Sequence, residues 1–248
     1  MDLFSHQQTN ILPFRLPNLP GYASEWDDER KGFLLSVPNG KLFFSPCFFS
    51  YKISERSMEY FLENSEVLEP TIDWRNVFTK SINEVNFTNI KWHQDEIEMY
   101  GKTRLLPRIS AWHGDNDKKY TYSGITLFPS PWNNGLNFIK MQIEKLFEHR
   151  FNSVLLNWYR DGHDHIGWHT DEEEELGINP TIASVNFGAE RDFIIRHNYS
   201  KQKLSIPLSH GSLLIMMGEL QHHWQHSVPK RTKVIDSRIN LTFRYIRK

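Results

Sequence analysis

The chain carries one cysteine, Cys47, in 248 residues, so no disulfide can form within it. That scarcity fits a reducing compartment. No run of about 18 apolar residues occurs, so no membrane-spanning helix is expected. The N-terminus lacks the positive-then-apolar pattern of a secretory signal, and an intracellular protein, cytoplasmic or nuclear, is expected. Excess charge is missing too: 29 Lys and Arg against 30 Asp and Glu leave a formal net charge of −1. A nucleic-acid partner would therefore have to be held by local basic patches rather than by a general field. Internal repeats and low-complexity tracts are absent.

What is present reads as one large domain with an extension, long enough to bury a core without staples. Residues 1–40 are rich in Pro, Asn, Gln and charge with little periodicity, and a loosely ordered N-terminal extension is expected there. The domain proper is expected over 41–248. Leu42-Phe43-Phe44 before Pro46 reads as a short strand, and Met58, Phe61 and Leu62 as one face of a helix over about Ser54 to Asn64. Residues 88–126 hold short β-like runs with a hairpin turn at Tyr100-Gly101-Lys102. From Trp132 to about Glu148, Leu136, Ile139, Ile143, Leu146 and Phe147 fall on one helical face. Beyond Asn152 short strands follow one another at 153–159, 165–169, 181–187, 192–196, 203–207, 212–217, 224–228 and 238–246. This is the pattern of an α+β protein built on a β-sandwich or jelly roll with flanking helices.

Histidines cluster in that C-terminal half. His169-Thr170-Asp171 is an H-x-D pair, and on a strand residues i and i+2 point to the same side, so imidazole and carboxylate can converge on one cation. Two His and one carboxylate leave three positions of an octahedron open, which suits ferrous iron activating O₂. H-x-D alone is common by chance, and His226, His223, His222, His210 and His165 all compete as third ligand on sequence grounds. A second motif narrows the chemistry. In Arg238-Ile239-Asn240-Leu241-Thr242-Phe243-Arg244, alternation puts Arg238, Asn240, Thr242 and Arg244 on one face, and Ile239, Leu241, Phe243 and Tyr245 on the other. Guanidinium groups facing an interior need anionic partners, and their forked donors suit carboxylates. A dicarboxylate such as 2-oxoglutarate has one at each end.

On Asn157-Trp158-Tyr159, His169-Thr170-Asp171, His226 and the Arg238–Arg244 run, in that order, residues 90–248 resemble the AlkB family of iron and 2-oxoglutarate dioxygenases. Its nucleic-acid dealkylating members are nearest, through Tyr120-Thr121-Tyr122-Ser123-Gly124 and Asp164-His165-Ile166-Gly167. The resemblance implies a double-stranded β-helix and selects His226 as the third Fe(II) ligand beside His169 and Asp171. It also implies that Arg238 and Arg244 grip the two ends of 2-oxoglutarate, with Asn157, Tyr159, Asn240 and Thr242 lining its site. The implied reaction consumes O₂ and 2-oxoglutarate, oxidises an N-linked alkyl carbon of a base such as 1-methyladenine or 3-methylcytosine, and releases succinate and formaldehyde.

Such an enzyme takes the base out of the stack. By the resemblance Tyr122 and the His169 ring enclose it, Tyr120 positions the substrate or a phosphate, and Glu173 accepts from an exocyclic amine. Tyr100 sits where duplex-preferring relatives carry a finger that fills the vacated gap. Arg108, with Lys102, Arg104, Lys118, Lys119, Lys201, Lys203, Lys230, Arg231 and Lys233, belongs to scattered basic loops suited to phosphates, although each charge taken singly reads as solvated. Trp112, Trp158 and Trp168 read as core or rim packing. The expected partner is alkylated DNA or RNA, with no membrane and a monomeric chain. The alternatives are a same-fold oxygenase acting on protein or lipid, a silent binding module, and a zinc hydrolase, which has no use for Arg238 and Arg244.

Overall fold

Short alternating runs separated by turns form strands that must cover their apolar faces with a second layer. A computed structural model describes residues 10–63, 90–99, 102–116, 120–122 and 125–247. The chain opens with a meander, β1 (Ala23–Asp27), β2 (Gly32–Val37) and β3 (Gly40–Ser45), followed by helix α1 (Tyr51–Glu63). Two hairpins, β4 (Glu96–Met99) with β5 (Lys102–Leu105) and β7 (Tyr120–Tyr122) with β8 (Ile125–Leu127), flank β6 (Ile109–Gly114). Helix α2 (Asn134–Phe147) leads into β9 (Ser153–Tyr159), β10 (Ile166–His169), β11 (Ile182–Gly188), β12 (Arg191–His197), β13 (Lys203–Leu208) and β14 (Leu213–Met217). A single turn, α3 (Leu220–His223), precedes β15 (Trp224–Val228) and β16 (Arg238–Arg244).

Eight strands make a large sheet in the order β1-β2-β3-β14-β11-β16-β9-β6, and four make a smaller one in the order β10-β15-β12-β13. This is the expected jelly-roll α+β architecture. At its centre, β16 lies between β11 and β9, and every residue of β16 and β9 is buried. Ile239, Leu241 and Phe243 face a core shared with Leu136, Ile139 and Ile143 of α2. All six are fully buried, each contributing roughly 1.5–3 kcal/mol over leaving it in water. Helix α2 is delimited by chemistry that its sequence carries. The Asn133 side chain accepts from the Leu136 N–H at 2.9 Å, and Glu148 ends the helix in the left-handed conformation.

Residues 23–40 correct the expectation of a loose extension. From Ala23 they are β1 and β2, which join the large sheet through β3 and its pairing to β14. The reason is a short alternation hidden in a polar stretch: Phe33, Leu35 and Val37 are buried while Leu34 and Ser36 are exposed. Leu12, Phe14 and Leu16 also pack, half-buried, against the core. At the other end β16 stops at Arg244, and Tyr245 leaves the apolar face assigned to it and is exposed.

Candidate metal centre and cofactor pocket

Strands β10 and β15 pair so that His169 stands directly opposite His226, their ring centroids 4.1 Å apart. Asp171 follows β10 by two residues. One ligand atom from each of the three side chains lies within 4.8 Å of the others, and this is the one such group found among the described residues. The His169 Nδ1 lies 2.9 Å from the Gly167 carbonyl; donating its proton there leaves Nε2 with its lone pair for a cation. The His226 ring stacks on Phe193 at 5.1 Å.

Asp171 is held from two sides. Its Oδ2 accepts from Arg244 Nη2 at 2.8 Å, and its backbone N–H donates to Gln221 Oε1 at 3.0 Å. Its Oδ1 is buried with no hydrogen-bond partner. Burial by itself would raise this carboxyl, but the Arg244 guanidinium draws it far below the usual carboxylate range, so it is ionised. Burial, followed by the nearby His169 ring, pushes His226 down to about 3, so that imidazole is neutral. An anionic carboxylate and a neutral imidazole are protonation states that metal ligands need.

The same residues line a cavity of about 520 Å³, mouth included, with the polar face of β16 as its other wall. Arg238 lies at the far end, almost fully buried, its guanidinium 4.9 Å over the Tyr159 ring. It donates through Nη2 to Asn186 Oδ1, while Nε and Nη1 have no hydrogen-bond partner. Burial draws its pKa down to about 10, which leaves it charged. The strand register puts Asn157, Asn240 and Asn186 on one rung. Asn240 donates to Ser184 Oγ, Val185 O and Asn186 Oδ1, and its own oxygen accepts from Thr242 Oγ1 at 2.9 Å.

The remaining candidates divide. Arg108 does not lie on a solvated loop: it is buried in the cavity and its Nε donates to Asn157 Oδ1 at 2.9 Å. It enters because it precedes β6, whose Ser110 pairs with Asn157. Glu173 is half-buried where a short 3₁₀ turn, Glu174–Leu176, begins, and it does not line the cavity. Tyr120 and Tyr122 are on β7, with side chains outside the described residues, and Tyr100 lies outside them altogether. Of the rival histidines, His222 meets Asn179, His223 lies near Glu219, His210 near Glu55, and His165 meets the His163 carbonyl. Trp158 and Trp112 are buried, and Trp168 is partly exposed beneath Arg196, 4.2 Å from its ring. Sequence reasoning missed Gln221, Phe193, Ser184 and Asn186. For Ser184 and Asn186 the signal was their i, i+2 spacing on a strand next to β16; Gln221 left none.

Comparison with known proteins returns the same region. The model of the 2OG-Fe(II) oxygenase superfamily matches residues 75–244. Human "DNA oxidative demethylase ALKBH2" is 46% identical over 158 residues, 60% of this chain and 60% of that protein. The bovine protein of that name is 44% identical over 158 residues, 60% and 57%. Human "Alpha-ketoglutarate-dependent dioxygenase alkB homolog 3" is 45% identical over 168 residues, 64% and 58%. The chain thus spans about three fifths of the length of these relatives. A solved structure, "The structure of OsALKBH1", aligns over 64% of this chain and 81% of that one with a TM-score of 0.44 at 16% identity.

Proposed function

Since this chain belongs to the 2OG-Fe(II) oxygenase superfamily, we propose that it is of the AlkB kind and oxidatively removes alkyl groups from nucleic-acid bases, with DNA as the first substrate to test. The observation that supports this best is the buried His169, Asp171 and His226 group at one end of a cavity whose other end holds a charged Arg238. The site fits ferrous iron and 2-oxoglutarate on its own terms. Asp171 Oδ1 is a buried anionic oxygen with no hydrogen bond, and Arg238 has two buried nitrogens, Nε and Nη1, with no hydrogen-bond partner. Buried polar atoms left in this way are costly unless a ligand meets them. Iron with O₂ and 2-oxoglutarate supplies the oxidation of an N-linked alkyl carbon, giving succinate, CO₂ and, from a methyl group, formaldehyde.

The chain's own part is to bind, orient and exclude water. His169, Asp171 and His226 would hold the metal on one side and leave the other open. Arg244 keeps Asp171 ionised, with its other oxygen left for a cation that it would help to hold, and Gln221 fixes the backbone from which it projects. Arg238, over Tyr159, would take the distal carboxylate of 2-oxoglutarate. Asn157, Asn240 and Thr242 would line its length, with Arg244 close enough to Asp171 to serve the proximal end. Tyr122, Tyr120 and Glu173 are proposed to face the base, and Arg108, from within the cavity, to meet substrate there.

A panel of single- and double-stranded DNA and RNA oligomers carrying 1-methyladenine or 3-methylcytosine, assayed for formaldehyde with Fe(II) and 2-oxoglutarate, tests the proposal. Release dependent on both, from at least one oligomer, is expected. Release from protein or lipid substrates but from none of the oligomers would replace it with the same-fold alternative.

A further inference from the structure

A second cleft opens beside the cavity. Three segments meet there: His149 and Arg150 after α2, Asn179 to Thr181 ahead of β11, and Tyr245 and Arg247 after β16. The register of the large sheet brings them together, since Ala183 pairs with Phe243 and Arg244 with Ser153. The wall offers two guanidinium groups, an imidazole, a phenol, a hydroxyl and an amide, and no carboxylate. An acid reaches Arg150 at the rim: Arg150 Nη1 is 3.7 Å from Glu144 Oε2, while the other oxygen of Glu144 accepts from the Phe151 N–H. With 84% of the Arg150 side chain exposed, that long pair holds the charge weakly.

Arg247 is placed by its backbone and by a glycine. Its N–H donates to the Glu175 carbonyl at 2.8 Å. At Gly177 a Cβ would lie 2.6 Å from Arg247 Nε, and φ of +75° is itself a glycine conformation. The missing side chain is what lets the guanidinium lie against the loop that leaves Asp171.

Cleft and cavity share a wall. Leu176 lines the first and Leu155 the second, and the two belong to one small apolar cluster with Trp112 and Ile246. Asn179 Oδ1 lies 3.0 Å from His222 Nε2 on α3, and the neighbouring Gln221 holds the Asp171 backbone. We infer that this cleft is a phosphate site, and that it receives a backbone phosphate of the nucleic acid whose base enters the cavity; this rests on the function proposed above. Forked guanidinium donors with hydroxyls beside them match a phosphate in shape and charge. A chain of net charge −1 has to concentrate its attraction for a polyanion in such places.

The test needs no turnover. Binding of an unmethylated, fluorescently labelled single-stranded DNA oligomer is followed by anisotropy between about 50 and 200 mM salt. The wild type is compared with R150A/R247A and with the charge-keeping R150K/R247K. If each arginine meets a phosphate, the alanine pair should lower the slope of log affinity against log salt by roughly 0.7 per contact and weaken binding about three- to thirtyfold. The lysine pair should keep most of the slope. Equal slopes and affinities in all three proteins would overturn the inference. So would saturable binding of inorganic phosphate to the cleft, lost in the alanine pair, with oligomer binding unchanged: the cleft would then serve a free anion. A protein that dealkylates no base yet loses oligomer affinity in the alanine pair would sink the proposed activity and leave the phosphate site standing.

Discussion

At Asp171 one carboxylate oxygen accepts from Arg244 while the other lies, without a hydrogen bond, among ligand atoms of His169 and His226. Three protein ligands leave no redundancy at such a centre. His226→Ala should therefore lower dealkylation on the order of a hundredfold or more, with Mn(II) binding, read by calorimetry, weakened alongside. Undiminished turnover would pass the ligand role to another histidine. The same ring makes a pH prediction for the metal-free protein. Folded, burial holds His226 near a pKa of about 3; unfolded, it reverts to about 6.5. The unfolded chain thus binds a proton first, and stability falls as pH drops from about 6.5 toward 3. His226→Phe, able to stack on Phe193, should flatten that part of the curve of melting temperature against pH, and an unchanged curve would put the effect elsewhere. At the other end, Arg238→Ala removes a charge-assisted partner worth about 2–5 kcal/mol, so the 2-oxoglutarate requirement should rise at least roughly thirtyfold while oligomer affinity hardly moves. Unchanged 2-oxoglutarate affinity by calorimetry would detach this strand from the cofactor.

Among the elements, β16 serves both layers at once. Its odd-numbered residues hold α2 to the sheet, and its even-numbered ones line the cavity. A slip of one residue would exchange the two sets, so its register carries both fold and site. Strands β4 and β5 pair Met99 with Lys102, while Tyr100 and Gly101, where a turn is expected, lie outside the described residues. If Tyr100 fills the gap left by a flipped base, Tyr100→Ala should slow repair of double-stranded substrate about ten- to a hundredfold. An inserted ring returns roughly 1–3 kcal/mol of stacking there. Single-stranded substrate, which needs little unpairing, should be repaired nearly as before. Equal losses on both would make Tyr100 a general contact or a packing residue.

For the molecule as a whole, ligands that bind only the folded state add to its stability. At about 100 times its dissociation constant a ligand contributes about 2.7 kcal/mol, or roughly 5–10 °C in melting temperature for a chain of this size. Mn(II) followed by 2-oxoglutarate should raise the melting temperature in two steps, with the second lost in Arg238→Ala and the first in His226→Ala. No shift with either ligand would contradict a cavity built to hold them.

Local periodicity made the frame legible. The strands from Ser153 onward, helix α2, the i, i+2 pair of His169 and Asp171, and the two faces of β16 all follow from residues a few positions apart, because a strand repeats every two residues and a helix every 3.6. The exception, β1 and β2, shows the limit: alternation over five residues, Phe33 to Val37, was too short to stand out in a polar stretch. On spacing alone five histidines competed for the third ligand position. Pairing of β10 with β15 across more than fifty residues set His226 opposite His169. Tertiary structure also decided that Arg244 pairs with Asp171, that Arg108 is buried beside Asn157, and that Gln221 holds the Asp171 backbone. Those contacts join segments far apart in the chain, and their geometry depends on register and layer packing, which no local spacing records.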